Sequence, residues 1–512
     1  MIPLLTAEQM RRCDTDTIQN GTPSRTLMER AAKAAIEVLK QELSPDYATR
    51  LLVLCGSGNN GGDGFAMARF LWEEGYDVTV CYGGTWSDAK PNTARMSVEC
   101  ATQYALWTRQ GGKTLEQLPT LRANGTVVID ALFGIGLDRP LTGKAADWIE
   151  KINAHGDIDV LAVDIPSGIH ADTGHVLGHA IRAAVTATIA APKRGLLLYP
   201  GASYAGKLAI CDISITTHAL GNTVDCFYVT PSDLADLPPR PAHAHKGTFG
   251  RVLVIGGAGG MVGAPYFAAK TAYRAGVGLV EVMTQPDNRI PIQTLLPEAL
   301  YTPFATAPSL LTAALARADA VVLGCGLGQS DDAKAITEQI IRLCSKPLVL
   351  DADALNLIAA HGPLQAALKA RNDLTVLTPH IGEAARLSGL DAPHIASDPI
   401  AVANEIATSF GAVCVLKDAR TVVSDGQNTY IQDCGNSGIA TGGSGDCLAG
   451  LVGSLLCQYR TCAHLSHTKL TALAVLMHAM AGDRAAQRLG AYAVMASDIA
   501  DAVGDVLHGI AR

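Results

Sequence analysis

No run of lysines and arginines longer than two residues occurs in the sequence, and its formal net charge is −8. That balance leaves no basic footprint for a phosphate backbone, so no nucleic-acid partner is expected. No apolar stretch reaches the roughly eighteen uncharged residues that a bilayer span needs, so no membrane association is expected. The 13 cysteines are odd in number, scattered, and without a C-x-x-C pair. This excludes a disulfide framework and fits a reducing compartment. Met1 to Asp14 carries charges early and has no uninterrupted apolar segment, which excludes a signal peptide on this reading. A soluble, cytoplasmic protein is expected. Charged residues are only 17% and aromatics 5%, against 48% hydrophobic, so aliphatic cores are easily supplied. At 512 residues the chain is expected to hold two to four domains.

What is present is concentrated in glycine-rich punctuation. In Gly435–Asp446 five of twelve residues are glycine, and an apolar run from Cys447 to Leu456 follows at once. The pattern reads as a loop feeding a buried helix. Backbone amides of Gly443, Ser444 and Gly445 can then face an anion, assisted by the helix dipole. Asp446 is repelled by such an anion unless it has a task, such as taking a proton from an attacking hydroxyl. The alternative is a helix-capping aspartate.

Read in order, Thr6-Ala7-Glu8-Gln9 is a capping-box pattern opening one helix, and Thr26 to Glu29 opens another that runs to about Leu43. Wholly apolar strands follow at Leu51–Cys55, Val127–Asp130, Val160–Asp164 and Val185–Ala190. Such strands alternating with helices predict a doubly wound α/β domain, with ligands at the strand carboxyl ends. The informative residues sit there. Gly58-Asn59-Asn60-Gly61-Gly62-Asp63-Gly64 reads as a phosphate-type loop before a helix from Phe65 to Glu74, its asparagines suiting a cation or a ribose. Asp130, with Phe133 to Pro140 after it, and Asp164, with Ser167 and Gly168 after it, end two further strands. Asp164 either joins an acidic site or hydrogen-bonds loop amides. Lys193 either meets that acidic cluster or is an exposed turn lysine.

Around Tyr228 to Gly247 the pattern stops. Pro231, Pro238, Pro239 and Pro241 crowd a stretch with His243 and His245, read as a linker. A second α/β domain then begins at Arg251–Ile255, with later strands ending at Leu323, Leu350, Leu377 and Leu416. His380 precedes a helix where its ring either faces the cleft or serves structure, and Glu383 either joins it or caps that helix. Asp351 and Asp353 flank the same face and can hold magnesium or position substrate.

These residues resemble a known pair of enzyme domains over nearly the whole chain. Gly58 to Gly64, Asp164 to Gly168 and Ala191 to Gly195 resemble the NAD(P)H-hydrate epimerase domain, which is Rossmann-like. Thr378 to Glu383 and Asn436 to Asp446 resemble the ADP-dependent NAD(P)H-hydrate dehydratase domain, which is ribokinase-like. In this order the chain resembles the bifunctional nicotinamide nucleotide repair family. Small departures exist: Ser437 stands where proline is usual, Ile439 where methionine is usual, and Cys325 where the glycine loop usually carries proline.

The resemblance implies an epimerase domain over 1–228, a Pro-rich linker over 229–245 and a dehydratase domain over 246–512. It implies interconversion of R and S hydrated NADH and NADPH, then dehydration of the S form as ADP is hydrolysed to AMP and phosphate. Asp164 and Asp446 are implied as catalytic residues. In the first domain Asn59, Asn60, Gly61, Gly62, Asp63, Gly134, Ile135, Gly136, Leu137, Asp138, Arg139, Pro140 and Asp164 would hold the hydrated cofactor, and Asn60, Asp130 and Ser167 would bind potassium. In the second, Ala264, Gly326, His380 and Asp446 would contact substrate. Lys417, Asp418, Ala419, Arg420, Thr421 and Gly445 would bind the nucleotide, with magnesium. The rivals are a small-molecule kinase of the same fold and a first domain that binds without catalysis. ADP against ATP, NADH against NADPH forms, a homo-oligomeric state and a catalytic role for Lys193 stay open on sequence.

Overall fold

The computed structural model describes residues 1–121, 125–304, 308–460 and 462–510. It comprises two compact units: Ile2–Val224, and Asp225–Arg512 together with Met1.

In the first unit the helix Ala7–Gln19 opens on the expected capping box, with Gln9 N–H donating to Thr6 Oγ1 at 3.2 Å. The next helix, Ser24–Glu42, begins earlier than its sequence pattern suggested, behind Pro23. Glu29 is consequently not a cap; its Oε1 pairs with Arg25 and Arg69, each at 3.1 Å. Seven strands form an all-parallel sheet in the order Lys207–Cys211, Val185–Ile189, Asp159–Val163, Thr126–Ala131, Arg50–Cys55, Asp77–Tyr82, Thr114–Leu115. The order reverses between Arg50–Cys55 and Thr126–Ala131, so the carboxyl ends of those two strands border a crevice where a ligand fits. The doubly wound expectation holds.

The glycine-rich stretch after Cys55 is not a loop. The helix begins at Asn59 and runs to Glu73, so Gly61, Gly62 and Gly64 occupy its first two turns. A Cβ on Gly61 would lie 2.0 Å from Gly56 O, and one on Gly64 would lie 2.7 Å from Ala131 Cβ. These glycines exist because the helix start is pressed onto the strand ends.

In the second unit the strands run Cys226–Tyr228, Thr429–Ile431, Val422–Ser424, Val413–Leu416, Thr375–Leu377, Leu348–Leu350, Ala320–Leu323, Arg251–Ile255, Leu279–Thr284, Leu300–Pro303. From Val413–Leu416 onward all neighbours are parallel, and Val422–Ser424 is antiparallel to both of its neighbours. Strand ends at Leu323, Leu350, Leu377 and Leu416 stand where the apolar runs predicted them. The helices Ser444–Gln458 and His467–Leu489 are buried along most of their length.

The expected boundary at 228 and the expected linker over 229–245 are displaced. Cys226–Tyr228 already pairs in parallel with Thr429–Ile431 of the second unit. Val229, Leu234 and Leu237 are buried in that unit's core, and a short turn over Pro231–Asp236 is capped by Thr230 and Asp233. Prolines here forbid regular helix without preventing burial, because the apolar residues between them still anchor.

Among the described residues no helix is long and apolar enough to cross a membrane. All 13 cysteines are free thiols.

Gly61→Ala must force helix and strand apart, an overpacking cost of about 1–3 kcal/mol or more. Gly156→Ala, which meets nothing within 4 Å, should stay within about 0.5 kcal/mol of the parent. Denaturant unfolding of the two variants checks this; equal midpoints would contradict the packing account.

Candidate functional sites

A cavity of about 890 Å³ lies at the carboxyl edge of the first unit's sheet, lined by Asn59, Asn60, Asp63, Gly134 to Pro140 and Asp164. The sequence expectation thus converges on one place, except that Gly61 and Gly62 do not line it. Gly61 packs on Gly56 and Gly62 on Met28. Both side-chain polar atoms of Asn60 are buried without a protein partner. Asn60 also touches the loop after Thr126–Ala131, since a Cβ on Gly134 would come within 3.3 Å of it.

Asp130 is wholly buried. It accepts Ser167 N–H at 2.8 Å, Ser167 Oγ–H at 2.7 Å and Leu132 N–H at 3.3 Å. Burial pushes its carboxyl up to about 6, with the Ser167 and Leu132 hydrogen bonds pulling the other way. No cationic side chain pairs with it among the described residues.

Lys193 resolves the sequence ambiguity toward the site. Its side chain is fully buried and its Nζ donates to Asp164, to Thr188 Oγ1 at 3.2 Å and to Ile189 O at 2.9 Å. Asp164 also accepts Ile189 N–H at 3.1 Å. Its φ of +70° is a left-handed conformation that a non-glycine residue adopts only under constraint.

Asp14, from the helix Ala7–Gln19, reaches the same cavity, as does Arg11. Neither was singled out by sequence, because an aspartate on an amphipathic helix has no local signature. Burial, then the nearby Asp164, push the Asp14 carboxyl up to about 6, opposed by Lys193. Burial, Asp164 and Asp14 push Asp63 well above the carboxylate range.

In the second unit, the ends of Leu348–Leu350, Thr375–Leu377 and Val413–Leu416 bring Asp351, Thr378 and Lys417 together. Asp351, 2% exposed, accepts Lys417 Nζ at 2.7 Å and Thr378 Oγ1 at 2.7 Å. Asp353 accepts Gly328 N–H at 2.8 Å. Ala352 between them has φ +46°, a second constrained non-glycine residue at a strand end.

The glycine stretch meets this group from the other side. Its helix begins at Ser444, behind Gly443 in the left-handed region, so Asp446 lies in the first turn. A Cβ on Gly445 would stand 3.4 Å from Lys417 Nζ and 3.9 Å from Asp351 Oδ2. Burial, and then Asp351, raise the Asp446 carboxyl to about 6. Ligand atoms of Asp446, Asp351 and Cys325 all lie within 4.8 Å of one another. Gly326 and Ala264 also adjoin: a Cβ on the former would be 3.0 Å from that of the latter.

His380 proves to cap its helix. Its Nδ1 accepts Gly382 N–H at 2.9 Å and Glu383 N–H at 3.4 Å, while Glu383 accepts His380 N–H at 2.8 Å. Burial, then Lys417 and Arg386, lower its pKa, and its Nε2 lies 3.4 Å from Glu383 Oε1. Asp418 to Thr421 form the loop after Val413–Leu416, where Arg420 Nη1 donates to Asp433 O at 2.8 Å. Sequence reading missed His478, buried beneath the glycine stretch with Nε2 3.0 Å from Ser444 O.

Two family profiles match the chain: one described as NAD(P)H-hydrate dehydratase over residues 252–504, and one described as YjeF-related protein N-terminus over 24–195. The bifunctional NAD(P)H-hydrate repair enzyme of Coxiella burnetii is 36% identical over 98% of this chain and 98% of its own length. Its counterpart from Escherichia coli is 36% identical over 92% of this chain and 87% of its own. A solved structure of an ADP/ATP-dependent NAD(P)H-hydrate dehydratase from Bacillus subtilis is 27% identical, with TM-score 0.47, covering 55% of this chain and 97% of that one.

Lys417→Met would leave Asp351 buried without its cation, a loss of about 3–5 kcal/mol. Adding Asp351→Asn should recover much of that loss, since the two residues are in contact. Denaturant unfolding of the single and double variants measures this; additive losses would contradict the pairing.

Proposed function

Because the chain belongs to the family of bifunctional NAD(P)H-hydrate repair enzymes, we propose that its two sites run one repair cycle on hydrated NADH and NADPH. The first unit interconverts the R and S epimers at ring carbon six. The second removes water from the S epimer. The cycle operates in the cytoplasm, in keeping with the 13 free thiols.

The dehydratase reading rests on Asp446, a desolvated carboxyl in the first turn of the glycine-introduced helix, beside the Asp351–Lys417 pair. The hydroxyl at ring carbon six is a poor leaving group, since it would depart as hydroxide. Asp446 accepts the hydroxyl proton as the oxygen attacks the terminal phosphoryl of ADP, releasing AMP. Backbone N–H groups of Gly443 to Gly445 and the Lys417 ammonium face the charge that develops on the transferred group. The ring-nitrogen lone pair then expels phosphate, and loss of a proton from the adjacent carbon restores the dihydropyridine. Ala264, Gly326 and the half-exposed ring of His380 position the substrate. Asp418 to Thr421, with Gly445, hold the nucleotide.

Magnesium supplies charge neutralisation to the nucleotide phosphates. Asp351 and Asp353 are engaged by Lys417 and Gly328, and the Cys325 thiol is a soft donor. A magnesium ion would accordingly be held chiefly by the nucleotide phosphates, with Asp351 and Asp353 as nearby protein carboxylates. Potassium fits the first unit better. Buried Asp130 lacks a cation, Ser167 stands against it, and the carbonyl oxygen of Asn60 has no protein partner. A monovalent cation there would steady the loop from Phe133, whose N–H donates to Ser167 at 2.9 Å. In this site Asp164 lies at the reacting ring, and Asn59, Asn60 and Asp63 with Gly134 to Pro140 hold the dinucleotide.

The test follows recovery of reduced-nicotinamide absorbance from mixed R and S hydrated NADH with magnesium and potassium, adding ADP or ATP separately. Full recovery with ADP is expected. Recovery stopping at the S fraction would remove the epimerase, and a stable phosphorylated product would favour a kinase. Asp446→Asn should lower S-epimer turnover by about 10²- to 10⁴-fold. As a proton acceptor Asp446 must be ionised, so wild-type turnover should fall as pH drops through about 6; a flat profile there would remove the base role.

A further inference from the structure

Three carboxyl groups share the first unit's cavity, and their surroundings differ. Asp164 meets the buried Lys193 ammonium and the Ile189 N–H, the surroundings of a carboxylate. Asp14 and Asp63 receive no hydrogen-bond donor among the described residues and lie near one another and Asp164. They have the surroundings of protonated acids. Asp14 comes from the helix Ala7–Gln19, Asp63 from the start of Asn59–Glu73, and Asp164 from the end of Asp159–Val163. The family profile over this unit begins at residue 24, after Asp14.

We propose that Asp14 is a second catalytic carboxyl of the epimerase cavity, acting as the general acid that protonates the departing hydroxyl while Asp164 serves as the base. The proposal rests on the epimerase reading of that cavity. Epimerisation at a carbon bearing both hydroxyl and ring nitrogen needs both roles. The Asp14 proton passes to the hydroxyl oxygen, the carbon–oxygen bond breaks with its electrons on oxygen, and water leaves. The nitrogen lone pair forms the carbon–nitrogen double bond. Water then adds to the other face, the double-bond pair returns to nitrogen, and the proton shed passes to Asp164. The reverse reaction exchanges the roles, and the two carboxyls re-equilibrate through solvent between turnovers.

Asp14 suits this exchange better than Asp63 does. Burial and Asp164 bring its carboxyl to about 6, where it both gives and takes a proton near neutrality, whereas burial, Asp164 and Asp14 drive Asp63 well above the usual range. The groups facing Asp14 are Asp63, Asp164 and Lys193 from neighbouring elements, with Arg11 on its own helix.

The test uses the full chain, R hydrated NADH, potassium, magnesium and ADP, with dehydration kept in excess by adding the Asp164→Asn variant, whose second unit is unaltered. Asp14→Asn is expected to lower kcat for the R epimer by at least about 100-fold while S-epimer turnover is retained. Asp14→Glu should recover to within about tenfold of wild type. Wild-type R-epimer turnover should fall as pH rises through about 6, where the acid ionises; that limb should vanish in Asp14→Asn and persist in Asp63→Asn. An unchanged kcat, a rise in KM alone, or a limb that follows Asp63 would overturn the assignment. So would loss in Asp14→Asn matched by a lowered thermal midpoint and no rescue by glutamate. A wild type unable to use the R epimer would remove the epimerase reading itself; an active wild type with an equally active Asp14→Asn removes only the role of Asp14.

Discussion

A buried lysine–aspartate pair at the carboxyl edge of a parallel sheet recurs in both units, Lys193 with Asp164 and Lys417 with Asp351. Each lysine is the cation within a set of desolvated carboxyls. Without it the acids would repel one another, and burial would favour their neutral forms. With it, one aspartate in each site is engaged and the neighbouring carboxyl is left to titrate. Asp446 beside Asp351 and Asp14 beside Asp164 are both brought to about 6. The same arrangement leaves a carboxyl of raised pKa, about 6, beside the lysine pair on each of two different sheets.

The backbone around each pair is constrained in the same sense. Asp164 and Ala352 both adopt left-handed conformations without being glycine, at about 1–3 kcal/mol each. Each occurs where a parallel strand ends and the chain turns to present a carboxyl to the cavity. The close-packed sheet and the hydrogen bonds from Ile189 and Thr378 over-determine these turns. The local penalty is borne by packing elsewhere.

Much of this was legible in the sequence, because parallel strands announce themselves. Leu51–Cys55, Val127–Asp130 and the runs ending at Leu323, Leu350, Leu377 and Leu416 read as strands buried on both faces, and the residues directly after the last three, Asp351, Thr378 and Lys417, meet in the second site. The glycines were misread for a physical reason. Gly61 and Gly64 signal close approach of two backbones as readily as an anion-binding loop, and one-dimensional pattern cannot tell which. The 229–245 segment was misread because proline density excludes regular helix but says nothing about Val229, Leu234 and Leu237 being buried. Asp14 and His478 were invisible since both sit on ordinary helices, and only the fold brings them to the sites.

Cys325 illustrates how a departure from the family pattern is accommodated. A thiol replaces the usual proline in the glycine loop and comes within 4.8 Å of the Asp446 and Asp351 carboxyl oxygens. Two carboxylates and full burial push that thiol far above its ordinary range, so it stays protonated and uncharged. A protonated thiol donates to Asp446, which partly offsets the upward pull of burial on that carboxyl. An ionised thiol would have added a third negative charge beside Lys417 and opposed the approach of a phosphoryl group. The environment that raises the Asp446 carboxyl therefore also keeps the cysteine uncharged, and the thiol is compatible with the role proposed for Asp446.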